Sequence, residues 1–205
     1  MISAREALEQ LREGNRRFVD GDRTLDKLIT QSRRSELVTT QAPIAAIVGC
    51  SDSRVPVEIV FDLGLGDLFV IRVAGNIVAP SQIGSVEFAA ERLGARLVVV
   101  LGHTRCGAVR ATLDDLEKGG AELWNMNSIV ARIRPSVEEL LATELKHDPE
   151  ALWDHAVRAN VRASANQLRH GSDVLERLIR GNGLRIVGAE YSLATGVVDF
   201  FDGVL

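Results

Sequence analysis

Four short apolar runs are spaced along the chain: Ile44–Gly49, Leu68–Val73, Leu97–Gly102 and Leu184–Gly188. Each run is continuous rather than alternating, so both of its faces need cover, which is the situation of strands in a parallel sheet enclosed by helices. Helical patterns separate the runs. Ile83, Val86, Glu87, Ala90 and Leu93 share one. Ala108, Val109, Thr112, Leu113 and Leu116 share a second that stops at Gly119-Gly120, and Val174, Leu175, Leu178 and Ile179 a last one stopped by Gly181 and Gly183. Residues 124–170 read as two longer helices broken near Asp148-Pro149. Strand–helix alternation with right-handed crossovers predicts an α/β fold, a single domain over residues 1–205 with a central, mostly parallel sheet of four strands and helices on both faces. The tail Gly196–Phe201 reads as a fifth strand at an edge.

Ahead of the first strand, Ser3-Ala4-Arg5-Glu6 forms a capping-box pattern with Ile2 as its staple residue. Ala4, Leu8, Leu11 and Phe18 then mark one face of a helix, interrupted by Gly14. Residues 20–42 are polar and charged without a clear period, so residues 1–42 are expected to form a helical arm that packs on a partner subunit. The formal net charge is −4 with both signs mixed along the chain, which excludes a basic nucleic-acid surface. No apolar run approaches the roughly 20 residues of a membrane helix, and no apolar leader follows Met1. With two cysteines a disulfide framework is not the source of stability and a reducing cytoplasm is the expected compartment; a single Cys50–Cys106 disulfide stays open, but it would leave the neighbouring histidine and aspartate unexplained.

Those two cysteines stand in the most chemically loaded phrases of the chain, Cys50-Ser51-Asp52-Ser53-Arg54 and His103-Thr104-Arg105-Cys106. Each phrase directly follows a strand run, so both emerge at the carboxyl edge of the sheet, where ligands bind in open parallel sheets. If the two strands are neighbours, their tips stand about 5 Å apart. Two thiolates and an imidazole at that spacing suit a zinc ion. Cys106 enters the first turn of the following helix, whose amide dipoles favour the ionised thiol. Asp52 has two readings at this point: a fourth ligand that closes the site, or a carboxylate drawn away by Arg54, two residues on, leaving an open position. His147, His155 and His170 fall in polar helical stretches and read as surface residues.

These phrases resemble the β-class carbonic anhydrases, strongly from Ile44 to Leu113 and more weakly through Val187–Tyr191 to Gly196. The resemblance implies zinc held by Cys50, His103 and Cys106, with Asp52 as exchangeable fourth ligand and Arg54 as its partner. It implies reversible hydration of carbon dioxide to bicarbonate and a proton, one zinc per chain, and a homodimer or homotetramer with the site near the subunit interface. Gln41 matches a glutamine that hydrogen-bonds substrate, Phe69 an apolar wall residue, and Phe88 a position where the plant-like subgroup often has tyrosine. Some bacterial members carry an inhibitory bicarbonate site built from tryptophan, arginine and tyrosine. Arg72 and Tyr191 match the last two, but Ile47 stands in place of the tryptophan, so that site is not expected, and the open-site subgroup is.

In this reading two thiolates cancel the charge of the metal, so a neighbouring base gains importance, and Asp52 held by Arg54 is placed to orient the nucleophile. Gln41 or the amide of Gly107 would steady the oxygen that becomes negative. Two alternatives keep the zinc: a hydrolase of carbon disulfide or carbonyl sulfide, activities known among relatives on this fold, and a structural zinc module with a permanently closed site. A thiol redox protein would need a Cys-x-x-Cys motif that the chain lacks.

Overall fold

The computed structural model describes residues 2–24, 30–118 and 124–204. Strands β1 (Ala45–Gly49), β2 (Leu68–Arg72), β3 (Leu97–His103), β4 (Arg185–Tyr191) and β5 (Val198–Asp202) form one sheet in the order β2-β1-β3-β4-β5. The first four are parallel, and β5 runs antiparallel to β4 at the edge. The sheet is thus the expected one, with the fifth strand in place. Every residue of β1 and β3 is buried, which is why their sequences are apolar without alternation.

The helices are α1 (Ala4–Asp20), α2 (Gln31–Glu36), α3 (Val57–Val60), α4 (Pro80–Glu87), α5 (Gly107–Lys118), α6 (Asn127–Val137), α7 (Pro149–His170) and α8 (Asp173–Gly181). Helices α1 and α3 cover one face, where Leu11, Val57 and Phe61 pack on Ile47, Val99 and Val187. Helices α4, α7 and α8 cover the other, where Val86, Leu168 and Leu175 pack on Val48, Val98 and Val100. A third apolar cluster lies around the two cysteines, with Val109 and Leu113 of α5, Ile133 of α6 and Leu152 and Val157 of α7.

Two local readings need correction. The break between the two long helices is wider than Asp148-Pro149, because 3-10 turns fill Glu138–Ala142 and Glu144–His147 before Asp148 caps α7 through the amides of Glu150 and Ala151. The aperiodic stretch 20–42 contains a helix, α2, too short for a period and started by Thr30, whose side chain accepts from the Arg33 amide. The expected stop at Gly119-Gly120, like residues 25–29 of the arm, lies outside the described residues.

Gly14 does not weaken α1; it lets the helix sit against the end of α3. A Cβ there would stand 1.8 Å from the carbonyl oxygen of Phe61, so only glycine allows this approach. Next to it, Asn15 donates to the Val60 and Gly196 carbonyls (3.1 and 2.8 Å) and accepts from the Val198 amide (2.8 Å). Arg17 pairs with buried Asp62 at 2.6 Å. Helix α1 is therefore seated on its own domain, and the exposed part of the arm is Thr30–Ala42, with Val38 79% exposed. Gly14→Ala is expected to cost about 1–3 kcal/mol, the range for overpacking a closed contact. Chemical denaturation should show a lower midpoint at unchanged slope; a wild-type midpoint would mean that the helix stands off the Phe61 carbonyl.

Candidate metal centre

Strands β1 and β3 are neighbours, with Gly49 paired to Leu101, and their carboxyl ends release Cys50 and His103 side by side. Cys106 follows three residues later, immediately before α5, and its carbonyl accepts the Arg110 amide as the helix begins. The turn between them is tight: Arg105 takes a left-handed φ of 60°, a strained conformation for an arginine that aims Cys106 back toward His103. The ligand atoms of Cys50, His103 and Cys106 lie within 4.8 Å of one another, and all three residues are buried.

The surroundings prepare these atoms for a cation. His103 Nδ1 lies 2.9 Å from the Thr104 carbonyl, a contact that takes the ring proton and leaves the Nε2 lone pair free. Nε2 is buried without a hydrogen-bond partner, a costly state for a ring nitrogen unless something fills the position. Both cysteines are free thiols. Cys50 is held well below the ordinary thiol range, chiefly because its sulfur accepts from the Cys106 thiol, then because of the neighbouring His103 side chain and the Gly75 amide, which donates to it at 3.3 Å. Cys106 is pushed up by donating to that sulfur and by burial, although the first amides of α5, from Ala108 and Val109, pull the other way. Two soft sulfurs and an orphaned imidazole nitrogen thus fit a zinc ion in donor type and number.

Asp52 does not join this trio. Its carboxylate is clamped by Arg54, which donates from Nε to Oδ1 at 2.9 Å, from a terminal nitrogen to Oδ2 at 2.7 Å, and from its backbone amide to Oδ1 at 3.0 Å. That clamp holds the carboxyl well below the usual carboxylate range. Asp52 Oδ2 remains 3.8 Å from His103 Nε2, beside the trio but turned toward the guanidinium.

The remaining predicted positions divide. Gly107 opens α5 next to Cys106, and no atom lies within 4 Å of where its Cβ would stand, leaving room for a small molecule. Gln41, Phe69 and Phe88 are not brought to the trio within the chain. Gln41 is exposed and lines an open groove with Arg34, Leu37, Leu65 and Arg92, residues that precede β1, β2 and β3 and so mark the amino edge of the sheet. Phe69 and Phe88 stack on each other at 6.0 Å beside the β2 edge, with Phe88 48% exposed. The apolar wall around the cysteines comes instead from Ile77, Ala108, Val109, Ile133 and Val157.

Arg72, Tyr191 and Ile47 are each engaged in separate contacts. The Arg72 guanidinium donates to the Cys50 carbonyl at 3.0 Å and the Asp52 carbonyl at 2.6 Å, bracing the loop that carries both. Tyr191 is buried with its ring 6.5 Å from Phe18, and Ile47 is fully buried in β1. Trp153, which donates to the Cys106 carbonyl at 3.1 Å, is a further support that its position in a helical pattern did not reveal. His147, His155 and His170 are exposed, as expected.

An α/β sheet with a soft-donor trio at its carboxyl edge and a clamped carboxylate alongside defines a candidate catalytic metal protein. The comparisons agree with one another on which kind. A family model described as carbonic anhydrase matches residues 45–198. A carbonic anhydrase of Mycolicibacterium smegmatis is 38% identical, over 94% of this chain and 91% of that protein. The crystal structure of the β-carbonic anhydrase CafA of the fungal pathogen Aspergillus fumigatus superimposes with a TM-score of 0.76 at 27% identity, over 85% of this chain and 82% of that one. A structure from work on two tetrameric β-carbonic anhydrases of Sordaria macrospora gives a TM-score of 0.74 at 25% identity, over 82% of this chain and 85% of that one. The chain belongs to the β-class carbonic anhydrases.

Proposed function

We propose that the chain catalyses reversible hydration of carbon dioxide to bicarbonate, with zinc held by Cys50, His103 and Cys106 and with Asp52 and Arg54 as the acting pair beside it. The observation that carries this reading is the bidentate Asp52–Arg54 clamp next to three converging ligand atoms. A zinc ion held there supplies the Lewis acidity that makes a strong nucleophile available near neutral pH, tempered by the charge of two thiolates. Asp52, ionised and fixed, accepts a hydrogen bond and so orients that nucleophile toward the carbon of carbon dioxide. Arg54 keeps the carboxylate charged and turned away from the three ligands, which leaves one position open for exchange; a structural zinc module would draw Asp52 inward. The buried apolar residues behind the cysteines favour an apolar substrate over water. The Gly107 amide, at the positive end of α5, is a donor for the oxygen that gains charge.

We infer a homodimer or a larger assembly as the working form. The half-exposed Phe88 with Phe69 at the open β2 edge, and the exposed stretch Thr30–Ala42, offer surface for a second subunit. Such packing would cover Gln41 and the two phenylalanines and carry them toward a neighbouring site. Sedimentation as a monomer at assay concentration would remove this part of the reading. No helix among the described residues is long and apolar enough to cross a membrane, and a cytoplasmic setting suits two reduced, buried thiols.

The test is stopped-flow hydration of carbon dioxide by purified protein before and after a chelator. The rate is expected to fall to the buffer background on stripping, to return with zinc, and to climb from about pH 6 to about pH 9, since water at a thiolate-rich site is acidified less than the value near 7 reached with three imidazoles. Hydration that survives complete metal removal would end the proposal, and a flat profile would refute the charge argument.

A further inference from the structure

Helix α7 reaches Cys50 through one glycine. After β2 the chain turns through Ala74-Gly75-Asn76, with Gly75 at φ 71°, ψ 17° and Asn76 at φ 43°. The Gly75 amide donates to Cys50 Sγ at 3.3 Å. Only glycine suits this place: besides its left-handed backbone, a Cβ would stand 2.8 Å from Ile133 Cδ1 and 3.1 Å from Ala108 Cβ. The same freedom leaves the amide weakly aimed, since glycine torsions are the softest in the chain. The Asn76 amide closes one side of the turn on the Val73 carbonyl at 3.0 Å. The other side is held from α7, where Asn160, 1% exposed, donates from Nδ2 to the Gly75 carbonyl at 2.7 Å.

We propose that Asn160 is a positioning residue for the metal centre: by holding the Gly75 carbonyl it fixes the turn from which the Gly75 amide donates to Cys50 Sγ, and so sets how strongly that sulfur donates to a metal. The inference rests on Cys50 being a metal ligand, and it adds a residue that touches neither metal nor substrate. Burial of the Asn160 amide is unfavourable without a compensating hydrogen bond, and a leucine would fill a merely structural position better. Partners that orient a ligand from behind change metal affinity by about 10–100-fold when removed.

The experiment compares wild type, Asn160→Ala and Val161→Ala, each metal-loaded as the full chain. Val161→Ala removes packing from the same turn of α7 and leaves the hydrogen bond. Zinc affinity is read by competition with a chromophoric chelator, and the sulfur by the thiolate-to-metal charge-transfer band after cobalt substitution. Asn160→Ala is expected to bind zinc about tenfold more weakly and to shift the cobalt band, while Val161→Ala lowers the melting temperature with neither change. Zinc affinity of Asn160→Ala within twofold of wild type, with an unmoved band, would overturn the proposal, as would equal effects of the two variants. Should Asn160→Ala fail to fold, Asn160→Leu, which fills the same space without the donor, takes its place: weaker zinc binding with a shifted cobalt band supports the proposal, and wild-type affinity with an unmoved band overturns it. A wild-type chain that binds no metal would instead defeat the functional reading itself.

Discussion

Cys106→Ser is expected to abolish stoichiometric zinc and reduce carbon dioxide hydration to the uncatalysed background. Serine keeps the shape of the side chain but offers a hydroxyl that stays protonated at neutral pH, where the native thiol lies beside a second sulfur and at the start of α5. Two ligands are left, Cys50 and His103, and the affinity should fall by more than the 10–100-fold, about two orders of magnitude at most, typical of losing a supporting contact. Because metal binding adds to folding free energy, the zinc-dependent part of the stability should vanish as well. Elemental analysis and a thermal melt with and without chelator measure both. A serine variant that retained one zinc per chain would show that Cys106 is not a ligand.

Asp52→Asn is expected to act differently: zinc stays near one per chain while kcat falls by about 10²–10⁴, the usual worth of a positioned acid–base group. Asparagine turns one accepting oxygen into a donating nitrogen that faces the Arg54 guanidinium, so the clamp cannot re-form as a bidentate pair. The pH dependence separates this from a general loss of order. The Arg54 hydrogen bonds hold the Asp52 carboxyl below its ordinary value, so it titrates only in acid and is fully ionised through the neutral range. Any rise of rate in that range therefore has another origin, and the variant should keep the shape of the wild-type profile at reduced height. A profile that flattened in Asp52→Asn would show that Asp52 itself titrates there, against the geometry.

The strands were legible because a buried parallel strand must be apolar on both faces, and Leu97–Gly102 could hardly be anything else. The trio was legible because strand tips place their next residues together, and the chain spends both of its cysteines there. What escaped depends on approach between distant segments. Gly14 looked like a flaw in α1 because the Phe61 carbonyl that requires it comes from α3's end, far along the chain. Asn160 carried no local sign at all, since a polar residue inside a helix reads as surface until its partner, 85 residues away, is known. Gln41, Phe69 and Phe88 were assigned to the site through a family likeness, and likeness at a position does not say which subunit's site it serves. The bracing roles of Trp153 and Arg72 escaped for a related reason: each holds a loop through a backbone carbonyl, which has no side-chain partner to find in a sequence.

The ligand-type residues end at Cys106, yet α7, which seals them, begins only at Pro149. A chain growing from its amino terminus therefore exposes both sulfurs before their cover exists. During that interval they are open to peroxide and to one another, which buried thiols in the finished fold are not. Synthesis in an oxidising medium would be hardest on this stretch, and early capture of a metal would shield it.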